Sequence, residues 1–279
     1  MQKPEFQFVK FMDEGTDNPI VNRLMLQFAE MLATNIIHIS KEKQEELKKV
    51  LFDCGTDLLK AEKYFKKYNE VLNEAVNKIK SGIGFKIDKI AIQYDDPSLE
   101  LQGLLQEFLI RCVITIRRIK KIAEIILDEN LKDHKTFNKR LDELFANDKN
   151  YMKMLREDRV WVKELIDIRG MVEHEELEIT NFSVTVGEDE KINIYAPSLK
   201  EKKCAVVKYM EVILYNVFSY CEDFTAMLLS LKCNDMCRIV QLPEKLWSEH
   251  RGFKYILDLK EEIKKPIIEK QKDDALPGC

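Results

Sequence analysis

The sequence predicts a mainly α-helical protein carrying one β-hairpin, on three observations. Apolar residues recur at threes and fours over most of the 279 residues, while Gly (nine) and Pro (seven) are scarce. Hydrophobic residues make up 45% and charged residues 34%, a balance that suits amphipathic helices and excludes a β-sandwich or a disordered chain. Strict alternation is concentrated near residues 180–195.

Residues 1–18, with Pro4, Gly15 and Asn18, read as an N-terminal extension. A first helix opens at Pro19, a favourable first-turn residue, and presents Leu24, Phe28, Met31, Leu32 and Ile36 on one face. Ser40 is placed to cap a second helix reaching about Lys80, with Leu47, Leu51, Leu58, Tyr68 and Leu72 on its apolar side. Gly82 and Gly84 interrupt the pattern, and residues 81–94 read as a loop with a short extended piece. Asp95-Asp96-Pro97-Ser98 then introduces what reads as the most hydrophobic helix of the chain, from Leu101 to Ile126. A shorter helix about Thr136–Phe145 follows, and another from about Tyr151 to Val172. Thr180–Val186 and Lys191–Tyr195 alternate around Gly187–Glu190, a hairpin. Pro197 and Ser198 are expected to open a last long helix to about Leu231. Beyond it, Arg238–Pro243 reads as extended and Lys260–Lys272 as a charged, frayed tail. The expected organisation is thus a helical domain over 19–232 and a less regular C-terminal extension, 233–279.

The formal net charge is −4, from 45 basic and 49 acidic residues, so no global field recruits nucleic acid and any RNA contact needs a local basic patch. The seven Cys are scattered among apolar positions, the usage expected in the reducing cytoplasm. No apolar run approaches the roughly 18–20 residues that span a bilayer, so no membrane partner is expected. Gly-rich phosphate loops, nucleophile elbows, metalloprotease helices and dinucleotide fingerprints have no match, and no cofactor is expected.

Chemistry concentrates at Arg169-Gly170-Met171-Val172-Glu173-His174. An Arg neutralises a phosphate through a planar fork, and a His moves a proton near neutral pH. The pair holds the minimum equipment for metal-free phosphodiester cleavage. On an ideal helix five residues leave the two side chains about 140° apart. They converge only where the helix ends or unwinds, or where a second protomer completes the site. The alternative is a helix C-terminus at which His174 faces the dipole and Arg169 pairs with Asp167 or Glu173.

Here the chain resembles the HEPN superfamily, small α-helical domains of prokaryotic defence and toxin systems whose motif is Arg, four to six residues, then His. The resemblance takes in the motif, the helices before it, the insertion after it and the closing helix. It implies a HEPN-like bundle and a metal-independent RNA endonuclease, a toxin or a stress or phage-defence effector. In that scheme Arg169 binds and polarises the scissile phosphate, and His174 assists proton transfer as a ribose 2′-hydroxyl attacks, leaving a cyclic phosphate. It also implies a homodimer sharing one cleft, and an antitoxin or regulatory protein as partner. Active members commonly carry a polar residue directly after the Arg; Gly170 stands there instead, which bears on catalysis more than on fold. The second reading is therefore a non-catalytic helical module binding a protein or nucleotide.

Arg156, Arg159 and Lys163, on the motif helix, are the candidate substrate-binding residues. Arg117, Arg118, Lys120 and Lys121 form a second basic cluster, expected to be either an RNA groove or a solvated helix face. Cys233 and Cys237, with His250, Asp235 or Cys279 as further ligands, fall short of a convincing zinc set, and two ordinary thiols at a helix end are expected. His38 and His134 have no partner at meaningful spacing. The acidic runs Glu173–Glu178 and Glu188–Glu190 would repel RNA or face a partner.

Overall fold

The computed structural model describes residues 15–16, 18–83, 85–87, 92–174, 176–187, 191–200, 202–247 and 252–265. Most of the N-terminal extension, the turn Glu188–Glu190, the tail beyond 265, and Glu175, His250 and Cys279 therefore lie outside the described residues. Within them the chain is mainly α, with seven α-helices and four separate two-stranded antiparallel pairs. No described helix is long and apolar enough to cross a membrane.

The helix expected after Ser40 is α3, Lys41–Lys80. Ser40 Oγ accepts from the Lys43 amide at 3.4 Å, satisfying one of the first-turn donors that the helix itself leaves unpaired. The apolar face of α3 is buried against α4, Ser98–Leu127. That helix begins where Asp96 accepts from the Ser98 amide at 2.9 Å, and it ends at Asp128 with φ 63°. Between the two helices β1, Phe85–Ile87, pairs with β2, Ile92–Tyr94, the short extended piece expected there.

The helix expected at Pro19 is present but irregular. α1, Pro19–Asn22, passes into a π-helical turn, Arg23–Gln27, before α2, Phe28–Leu32. Two buried polar side chains face inward from that turn. Arg23 Nε and Nη2 donate to the two carboxylate oxygens of Glu222, at 2.5 and 2.9 Å. Gln27 Oε1 accepts from the Lys254 amide at 3.0 Å. Apolar periodicity carries no sign of this turn, because its polar partners stand 199 and 227 positions away.

α5, His134–Leu144, is capped by Asp133, whose carboxylate accepts from the Thr136 amide at 2.7 Å. α6, Lys149–Glu173, is capped by Asp148 through the Asn150 and Tyr151 amides. Its buried side, Leu155, Val162, Leu165 and Ile168, packs on α4 and on α7, Val206–Ser230. The expected hairpin follows as β3, Ser183–Val186, paired with β4, Ile192–Tyr195. It is fastened to the body where Tyr94 donates its hydroxyl to the Phe182 carbonyl at 3.0 Å.

Two expectations are corrected in the last long helix. It starts at Val206, not at Ser198, because Ser198–Leu199 forms a strand, β5, paired with β6, Cys204–Ala205. The Ser198 amide donates to Thr180 Oγ1 at 2.8 Å, and Leu199 is buried and bridged to Ile179. These tertiary pairings outweigh the helix-opening preference of Pro197 and Ser198. Secondly, α7 and not α4 is the most apolar helix: nearly every residue from Val217 to Leu229 is buried. The expected C-terminal extension contributes β7, Cys237–Gln241, paired with β8, Tyr255–Leu259 and packed on α7. Asp223 of α7 holds it, accepting from Lys254 Nζ at 2.5 Å and the Tyr255 hydroxyl at 2.8 Å.

Candidate functional site

Four of the five candidate site residues lie on α6 and the fifth, His174, at its C-cap, so the fold divides them between the end of the helix and its middle. At the end, α6 remains helical through Glu173, so Arg169 and His174 keep the roughly 140° separation of a regular helix. Arg169 donates to the Glu173 carboxylate one turn on. His174 is the C-cap residue: its amide donates to the Gly170 carbonyl at 3.1 Å and its side chain is exposed. The structure thus does not bring the pair together within one chain. Gly170 is not required by packing, since a Cβ there would meet nothing within 4 Å.

The middle of α6 is different. Arg159 and Lys163 line a cavity of about 650 Å³ between α5, α6 and α7, whereas Arg156 is exposed outside it. The floor is aliphatic, formed by Leu141, Leu155, Val162 and Ile166, with the Tyr220 ring beside them. Arg159 is fixed to α5 at two points: Nη1 donates to Asp142 Oδ2 at 3.1 Å and Nη2 to the Asn138 carbonyl at 2.9 Å. Its Nε–H is buried and has no partner among the described residues. Lys135 and Lys139 of α5 complete the rim with Lys163, and Lys135 and Lys163 form no ion pair among the described residues. Four cationic side chains therefore meet two carboxylates, Asp142 and Asp158, in a protein whose net charge is −4.

The acids and bases of this cavity feel its apolar wall. Burial pushes the Asp158 carboxyl above its ordinary range, against the hydrogen bond that Trp161 Nε1 donates to it at 2.9 Å. Partial burial lowers the pKa of His134, Lys120 lowers it further, and Asp133 opposes both. The His134 ring meets Phe137 edge-on at 5.9 Å. Tyr220 is buried and stands edge-on to Trp161 at 5.5 Å.

The other candidates separate less favourably. The basic cluster of α4 is largely neutralised by carboxylates: Arg118 meets Asp53 at 3.3 Å and Asp57 at 3.4 Å, Lys121 meets Glu46 at 3.1 Å and Lys120 meets Glu124 at 3.6 Å. Cys233 and Cys237 lie at and beyond the end of α7, and burial pushes the Cys233 thiol up to about 11. Among the described residues no three metal-ligating side chains gather. His38 is exposed beyond α2.

Sequence reasoning missed Lys135, Lys139, Asp142 and Asp158, and left His134 without a role. A signal was present on α5, where His134, Asn138, Leu141 and Asp142 recur at threes and fours on one face. What faces that side is not written in the local pattern. No protein-family model, curated protein or solved structure matches the chain.

Proposed function

We propose that the chain is a helical binding module that takes a small anionic ligand in the cavity between α5, α6 and α7. One observation carries this reading: a mainly aliphatic floor is rimmed by Lys135, Lys139 and Lys163, and the buried Arg159 Nε–H beside them lacks an acceptor. Concave, apolar sites with a few convergent polar groups are the usual form of a small-molecule site. An unpartnered buried donor costs about 1–3 kcal/mol, which a ligand acceptor would offset. The free cysteines suit the cytoplasm as its compartment. The test is titration with 1-anilinonaphthalene-8-sulfonate, an anion whose fluorescence rises in apolar surroundings. Saturable binding that weakens in Lys163→Glu and with added salt supports the module; binding indifferent to both would sink it.

A metal-independent ribonuclease of HEPN type is the second reading. It is favoured by the accessibility of His174 and by the open space at Gly170. Because Arg169 is turned toward Glu173, the reading requires a homodimer in which a second copy completes the site, with RNA as substrate and an antitoxin or regulatory protein as its restraint. It predicts that labelled RNA is cleaved in EDTA to cyclic-phosphate ends by the wild type and not by His174→Ala. Equal cleavage by the two proteins removes His174 from the chemistry.

A further inference from the structure

We infer that the ligand of the α5–α6–α7 cavity is an anion on an aliphatic body, of the fatty-acyl or alkyl-phosphate class, rather than a nucleotide. The inference rests on the binding-module reading and adds the chemistry of the occupant. Its first support is the floor. Leu141, Leu155, Val162 and Ile166 are all aliphatic, and they offer a ligand dispersion contacts and no hydrogen bonds. A nucleobase needs acceptors and donors along its edge; the floor offers neither, and part of the polar set beside it is engaged. Asp142 and the Asn138 carbonyl take Arg159, while Asp158 takes Trp161. The Tyr220 ring is committed to edge-on and tilted contacts with Trp161 and Phe224, so a base would stack there at their expense.

The second support is where the charge sits. The lysines come from two helices, Lys135 and Lys139 from α5 and Lys163 from α6. With Arg159 they outnumber the carboxylates Asp142 and Asp158 that share the lining, while the four floor side chains are uncharged. Lys135 and Lys163 are exposed, and neither has a carboxylate partner among the described residues. An amphipathic anion matches this gradient: its chain enters the floor and its head remains between the ammonium groups. There solvent screens the attraction without abolishing it. A carboxylate and a phosphate monoester satisfy the same rim.

The experiment is displacement of bound anilinonaphthalene sulfonate from the full chain by four probes: decanoate below its micelle concentration, decyl phosphate, decanol and AMP. Displacement by decanoate and decyl phosphate, with decanol and AMP at least about tenfold weaker, is expected from the joint need for head and chain. Preference between the two anions identifies the head group. Lys135→Glu with Lys163→Glu should weaken both anions by about tenfold or more. Lys153→Glu, exposed on the same helix and outside the cavity, should leave them unchanged. Ile166→Trp, at a half-buried wall position, should exclude the chain, with circular dichroism and thermal unfolding confirming the fold. Displacement by AMP but not by decanoate overturns the aliphatic class and leaves the binding module standing. Equal displacement by decanol and decanoate overturns the role of the lysines. If the reporter itself shows no charge-dependent binding, the module reading falls, and this inference with it.

Discussion

The middle and the end of α6 each hold an arginine, and the two arginines have different fates. Arg159 is gripped by Asp142 and the Asn138 carbonyl of another helix, beside a cavity that neither helix could enclose alone. Arg169 is held by Glu173 of its own helix, one turn away, at an end whose last residues are exposed. The difference teaches that a local motif and a built site are separate things. The first needs only spacing along one helix. The second needs a neighbouring element to supply walls, counter-charges and desolvation.

The largest expected effect is on the floor. Leu155, 2% exposed, should cost about 2–3 kcal/mol when changed to Ala, in the lower part of the usual range because the site already borders open space. At the helix end, half-buried Val172→Ala should cost about 1 kcal/mol or less. Urea unfolding measures both, and equal losses would erase the contrast between the regions.

The arginines come next. Arg159→Ala should destabilise by about 1–2 kcal/mol, having lost an interhelical ion pair and a carbonyl contact. Arg169→Ala should cost no more than about 0.5 kcal/mol, the scale of a helical pair four residues apart. A double-mutant cycle of Arg159 with Asp142 separates their coupling from side-chain packing.

Two smaller effects depend on pH. Because burial raises the Asp158 carboxyl above its ordinary 3.8, the folded chain keeps a proton that the unfolded chain has released. Stability is therefore lost as pH rises from about 3.8 through the raised value, and stays lower above it. Asp158→Asn retains an acceptor for Trp161 and should raise Tm at pH 7, with little change at pH 3. A lower Tm at pH 7 would show that the carboxylate is stabilising after all. His134 runs the opposite way, with its folded pKa lowered from 6.5. Its protonation is disfavoured in the fold, so stability is lost as pH falls below about 6.5. Proton NMR should place its midpoint below 6.5, and an anion seated in the cavity should move that midpoint upward.

Local signals made most helices legible. Ser40 acts within one turn of its own sequence, and the apolar stripes of α3 and α4 repeat often enough to be read without knowing what they face. The alternation of Val184 and Ile194 likewise marked a hairpin from within. The π-helical turn at Arg23–Gln27 and the strand at Ser198–Leu199 were illegible, because each depends on hydrogen bonds to distant residues. The candidate site was legible by half. Arg159 and Lys163 could be chosen by charge and position, but their separation from Arg169 and His174 could not.

The sequence by itself determined the mainly helical class, the hairpin and the near-neutral charge, since periodicity, capping residues and composition act over short distances along the chain. Only the tertiary structure decided which cations stay available and which are neutralised. Lys121 and Arg118 meet the carboxylates of α3, while Lys135 and Lys163 meet no such partner among the described residues and face an aliphatic hollow. The physical reason is that a charge is tuned by what lies within a few ångströms of it, and those neighbours come from other helices.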